Sequence, residues 1–158
     1  MSLPKSPIFL NGIPFERVEL FKHLGHVISS DLSWSNHITS IGAKAKRILG
    51  SLYRQYYNHV EGHVLEQLYI SLVRTHLEYS CAVWNPYTLK DKKNIEQVQK
   101  FACKVASKHW DAGYEDLLEL VGLPPLEQRR IYLKLCLIFM ACVISPLGFL
   151  LPGKFLTT

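Results

Sequence analysis

The sequence predicts a mainly α chain: a small N-terminal β-hairpin or three-strand element, followed by a bundle of about five helices. Three observations carry this reading. Asn11-Gly12 stands between two short apolar runs. From Asn36 onward, apolar residues recur at three- and four-residue spacings. Asn85-Pro86, Gly122 and Pro124-Pro125 then punctuate that periodicity. With 158 residues, 48% of them hydrophobic and 20% charged, the chain has enough apolar side chain for a core, which argues against disorder.

Ile8, Phe9 and Leu10 precede the Asn-Gly pair, and Ile13 to Val18 follow it. Asn and Gly both tolerate the positive φ of a type I′ turn, so the segment reads as a hairpin. Phe21 to Ile28 reads as a third strand, with Gly25 inside it marking a bulge or a close backbone approach. Residues 1–30 thus form the β element. The loop at Ser29 to Ser35 is the boundary, 31–145 is a helical domain, and 146–158 is an apolar tail.

The first helix takes Ser35 or Asn36 as its cap. It places Ile38, Ile41, Ala45, Ile48, Leu49 and Leu52 on one face, with Lys44, Arg47 and Arg54 largely off it. The second starts near Glu61, carries a stripe of Leu65, Leu68, Leu72, Thr75 or His76, and Tyr79, and ends near Trp84, where Asn85-Pro86 breaks it. The third begins near Lys90. Ile95, Val98, Ala102, Val105 and His109 alternate on one face, while Lys93, Gln97, Lys100, Lys104 and Lys108 line another. A short helix spans Tyr114 to Val121 and stops at Gly122. Pro124-Pro125 opens the last, which runs through Arg129 and Arg130 to about Val143.

The four cysteines, Cys81, Cys103, Cys136 and Cys142, lack the spacing of a zinc site. Each lies in an apolar helical pattern, which points to reduced core thiols in an intracellular protein, nuclear or cytoplasmic. The amino terminus lacks a signal-peptide apolar region. Leu135 to Gly153 is uncharged, but Pro146, Gly148 and Pro152 interrupt it, so a core helix with an apolar tail is expected in preference to a membrane anchor.

Four phrases, in order, carry a resemblance. They are FKHLGHVISSDLSWSNHI from Phe21, LYISLVRTHLEYSCAVWNP from Leu68, IEQVQKFACKVA from Ile95 and YEDLLELVGLPPLEQRRIYLKL from Tyr114. Together they resemble the region after the catalytic strands in non-LTR (LINE-type) retrotransposon reverse transcriptases, over roughly Ile8 to Leu137. His23 departs from that pattern, which usually has Tyr there, and the tail beyond Ile138 does not follow it. The resemblance implies the end of the palm plus the thumb of an RNA-directed DNA polymerase. The turn at Lys22, His23 and Gly25 would then pack near the primer terminus, and the helices would hold an RNA–DNA or DNA duplex. It also implies palm and fingers supplied by the rest of the parent enzyme.

Nucleotidyl transfer needs carboxylates holding two metal ions, and the parent enzyme would use Mg. The aspartates here are Asp31, Asp91, Asp111 and Asp116, no two adjacent, so catalysis and a metal cofactor are not expected of this chain alone. Tyr114-Glu115-Asp116 opens a helix, where carboxylates complement the dipole. His59 and His63, spaced i, i+4, read as a solvent-exposed pair, and Cys103 with His109 lacks the third member of a nucleophilic triad.

The net charge of +5 permits a polyanionic partner. Candidate phosphate contacts are Lys44 and Arg47 on the first helix, Lys100, Lys104 and Lys108 on the third, and Arg129 and Arg130 on the last. Trp34 and Trp84 are expected as core anchors, and Arg74 with Glu78 as an i, i+4 bridge. Two alternatives to a duplex-gripping thumb stay open: a non-enzymatic helical protein-interaction module, and an inert degenerate fragment. An exposed apolar face around Phe9, Phe21 and Val27 would mark a domain separated from packing partners.

Overall fold

The computed structural model describes residues 9–144; the expected tail at 146–158 and the first eight residues lie outside it. Within that range the chain is mainly helical with a small antiparallel β element at its start. The strands are β1 (Phe9–Leu10), β2 (Ile13–Pro14), β3 (Leu20–His23) and β4 (His26–Ser29). The helices are α1 (Ser35–Tyr56), α2 (Gly62–Leu68), a π-helical segment (Tyr69–Arg74), α3 (Thr75–Glu78), α4 (Cys81–Trp84), α5 (Leu89–Ser107), α6 (Tyr114–Val121) and α7 (Leu126–Ile144).

The strands form two separate hairpins, β1–β2 and β3–β4. Asn11 and Gly12 have φ of 50° and 80°, and Leu24 and Gly25 have 46° and 82°. Both pairs are two-residue turns with positive φ at each position, whose twist matches the strands they join. The stretch expected as one strand from Phe21 to Ile28 therefore folds back on itself at Leu24-Gly25. It pairs Leu20 with Ser29 and His23 with His26. Gly25 supplies the left-handed conformation and not a bulge.

Helix α5 is the axis of the bundle and packs against α1, α2, α6 and α7. Its buried face is Ile95, Val98, Gln99, Ala102, Cys103 and Val105. Opposite it, α1 buries Ile38, Ala45, Leu49 and Leu52, the face its periodicity specified. Ser35 and Asn36 do not cap α1. The Ser35 hydroxyl donates to Asp91 Oδ2 at 2.8 Å, and Asn36 Nδ2 donates to Ser29 Oγ at 3.0 Å. Both side chains bind neighbouring elements instead of the helix's own amides.

The second helix is turned relative to its expected stripe. Leu65, Tyr69, Val73, Leu77 and Cys81 are buried, whereas Leu72 and Tyr79 are exposed. A strict four-residue step overshoots the α-helical turn of about 3.6 residues and would wind off the core. The π-helical turn at Tyr69–Arg74 is wider and keeps the repeat on one face. Ser80 then breaks the rod with φ 53°. Trp84 is fully buried and its indole N–H donates to the Tyr79 carbonyl at 2.9 Å.

Polar groups close the far side of the core. Gln99, fully buried, accepts from the Tyr69 hydroxyl at 2.9 Å and donates to the Pro124 carbonyl at 2.9 Å. Glu96 accepts from the Tyr114 hydroxyl at 2.5 Å and from the Glu127 amide at 2.8 Å. It thereby caps the start of α7 with a carboxylate, where the helix dipole favours negative charge. Burial and this bond push the Tyr114 pKa up. Gly122, at φ 75°, ends α6, its amide donating to the Leu118 and Glu119 carbonyls as the sequence predicts.

Cys81 and Cys103 are core thiols, and burial, ahead of Glu66 and Glu96, pushes the Cys103 pKa up to about 12. Cys136 and Cys142 depart from the expectation: the first is half-buried, the second exposed. They lie on the outer half of α7, where Ile131, Tyr132, Leu135, Ile138, Phe139, Met140 and Val143 are all at least half exposed. Among the described residues, no helix is long and apolar enough to cross a membrane.

Candidate nucleic-acid interface

A cleft of about 650 Å³ opens where the β3–β4 hairpin leans on the helices. Its walls are Lys22, Leu24, Gly25 and Val27 from the hairpin, His37, Ser40, Ile41 and Lys44 from α1, and His76 with Tyr79 at α3. The hairpin reaches this position because His26 and His37 are buried together between the two units. His26 Nδ1 and His37 Nε2 stand 3.4 Å apart, and the Val27 amide donates to His37 Nδ1 at 3.3 Å. Trp34 meets both rings edge-on, Trp84 meets His37, and Tyr79 stacks on His26 with centroids 5.8 Å apart.

The lining is free of carboxylates: two lysines, two histidines, a serine and a tyrosine supply its polar groups. Burial first, then the charge of Lys44, lowers the His76 pKa. The charges of Lys22 and Lys44 thus meet no carboxylate among the lining residues, an arrangement suited to a phosphate.

Three expected contacts, Lys22, Gly25 and Lys44, converge there. His23 lies outside the lining and stacks on Phe21, centroids 6.1 Å apart. Arg47 is exposed on α1. The expected basic stripe of α5 is largely engaged elsewhere. Lys100 is half-buried, Lys104 Nζ donates to the Trp110 carbonyl, and Lys108 lies past the last helical residue at φ 60°. Its ammonium sits 5.7 Å from the Tyr57 ring centroid. His109 is likewise outside α5 and exposed, so it neither continues the apolar stripe nor pairs with Cys103.

Arg129 and Arg130 do not form a surface cluster. Arg129 holds Glu78 through two nitrogens, and Glu78 also lies 3.6 Å from Arg74. Arg130 is fully buried with Glu96 Oε1 3.6 Å away, and burial lowers its pKa. A guanidinium so enclosed cannot reach a phosphate on the surface.

The residues that periodicity missed are His26 and His37. Their signal was a histidine on either side of one capping loop, in a segment otherwise read as strand and helix entry.

No carboxylate pair is assembled for metal-assisted transfer among the described residues. The Asp31 carboxylate accepts from the Ser33 amide, Asp91 is buried against Ser35 and Thr88, and Asp111 and Asp116 are exposed. Nor, within the same range, do three groups of His, Cys, Asp or Glu converge to hold a metal. A smaller cleft of about 290 Å³ beside Gly62 contains His63, Glu66 and His109, of mixed charge. No protein-family model, curated protein or solved structure matches the chain.

Proposed function

We propose that this chain is a duplex-gripping unit, the palm end and thumb of a non-LTR retrotransposon reverse transcriptase, that binds a template–primer without catalysing polymerisation by itself. The observation that supports it best is the carboxylate-free cleft, which juxtaposes Lys22 and Gly25 of the hairpin with Lys44 of α1. The four ordered phrases from Phe21 to Leu135 support the ancestry. Binding would be read out through phosphates and so would be indifferent to sequence and sensitive to salt.

The β element supports a place within a larger enzyme. Phe9, Ile13, Phe15, Leu20 and Phe21 are each at least half exposed. Such a face is the kind that a palm would cover. The apolar outer half of α7 favours a second reading, a helical protein-interaction module.

The test is binding to a labelled RNA–DNA primer–template across a salt series. Replacing both Lys22 and Lys44 by Ala should flatten the dependence of log affinity on log salt by about 2. Replacing Lys104 and Lys108, already engaged by Trp110 and Tyr57, should change it less. No binding at low salt would overturn the proposal and leave the interaction module.

A further inference from the structure

The two buried histidines form a link that tolerates only one protonation state. A backbone N–H can only donate, so His37 Nδ1, which receives the Val27 amide at 3.3 Å, carries no proton. The neutral His37 ring then bears its proton on Nε2, facing His26 Nδ1 at 3.4 Å. His26 Nδ1 must accept, so it too is bare. A proton added to His37 would oppose the Val27 N–H. One added to His26 Nδ1 would oppose the His37 N–H.

We propose that the His26–His37 pair is an acid-released latch: neutral, it docks the β3–β4 hairpin on α1 and shapes the cleft; protonated, it frees the hairpin. His37 is 2% exposed and His26 9%, so a charge there has little water to solvate it. The neighbouring groups offer no compensation. Lys22 from β3 and Lys44 from α1 add positive charge, His76 from α3 carries no negative charge, and Tyr79 contributes only a neutral ring. Asn36, which donates to Ser29, adds a neutral hydrogen bond between hairpin and helix.

Burial, then the nearby His26, holds the His37 pKa below its ordinary value. In the window between the two values the unfolded or undocked chain binds more protons than the docked one. The latch is therefore at full strength above the ordinary histidine value of about 6.5 and is lost as pH falls through the lower, docked value.

The consequence for the cleft rests on the proposed function and has a distinctive sign. Acidification ordinarily strengthens a histidine-containing phosphate site. Here it should weaken the grip, because Lys22 leaves with the hairpin while Lys44 stays on α1.

The experiment is a titration of the whole chain from pH 8 to 5, following imidazole nitrogen and backbone amide resonances by NMR. At high pH both rings should show protonated Nε2 and bare Nδ1. As pH falls below the ordinary histidine range, the Val27 amide and the rest of residues 20–29 should shift together while α5 keeps its resonances. In His37→Gln, whose amide offers either a donor or an acceptor without charging, this transition should move at least one pH unit lower. An undisturbed hairpin across the titration, or loss of hairpin and α5 together in the parent chain, would overturn the latch. Duplex binding measured in parallel separates the two claims: a titrating latch with no binding at any pH would overturn the proposed function alone.

Discussion

Without the Glu96 carboxylate, the Tyr114 hydroxyl and the first amides of α7 lose their acceptor, and Arg130 is left a buried cation without its ion-pair partner. Removing one partner of a buried pair is destabilising by about 3–5 kcal/mol. Glu96→Ala is therefore expected to lose that much in urea denaturation. The reverse deletion is milder. In Arg130→Met the carboxylate keeps Tyr114 and the α7 amides, and three unbonded guanidinium nitrogens leave the core. That variant should lose less than about 2 kcal/mol, in line with apolar replacement of buried charge. Equal losses in the two variants would mean that the arginine, not the cap, is what Glu96 serves.

At the scale of elements, Gly62 sets the distance between α2 and α5. A Cβ there would stand 2.1 Å from the Ala106 carbonyl oxygen, a backbone atom that cannot swing away. Gly62→Ala should destabilise the chain by about 1–3 kcal/mol, the usual range for overpacking, whereas the intrinsic helix preference predicts a gain. A calorimetric Tm that rises would refute the close approach. The same elements show what a sequence reveals. The two hairpin turns have nearly identical φ values, yet Asn11-Gly12 is readable and Leu24-Gly25 is not, because Leu seldom occupies the left-handed region and reads as strand. The α1 face, the Gly122 stop and the α7 start were legible because local chemistry dictates them. The second helix was not, since its four-residue repeat only makes sense once a π-helical turn is allowed. The α5 lysines read as a phosphate-contacting stripe because periodicity gives a residue's face but not its neighbours across the gap. Trp110 and Tyr57 arrive there from elsewhere in the chain.

For the molecule as a whole, two apolar surfaces stand out: the strands around Phe15 and Phe21, and the outer half of α7. Surfaces of this kind bind one another when no other partner is present. Sedimentation should show concentration-dependent association, reduced by Phe15→Ser with Phe21→Ser if the β face dominates, and indifferent to that pair if α7 does. A monomer at all concentrations would argue that these faces are sheltered in solution. The π-helical turn, finally, bears on how this chain can change length over generations. One residue more between Tyr69 and Arg74 would not be absorbed by a turn already widened, since each added residue of helix rotates the downstream chain by about 100°. Leu77 would swing out of the core and Tyr79 off the His26 ring. Lineages carrying this domain should therefore vary freely in the identity of the exposed Ser71 and Leu72 while admitting almost no insertions among the six residues.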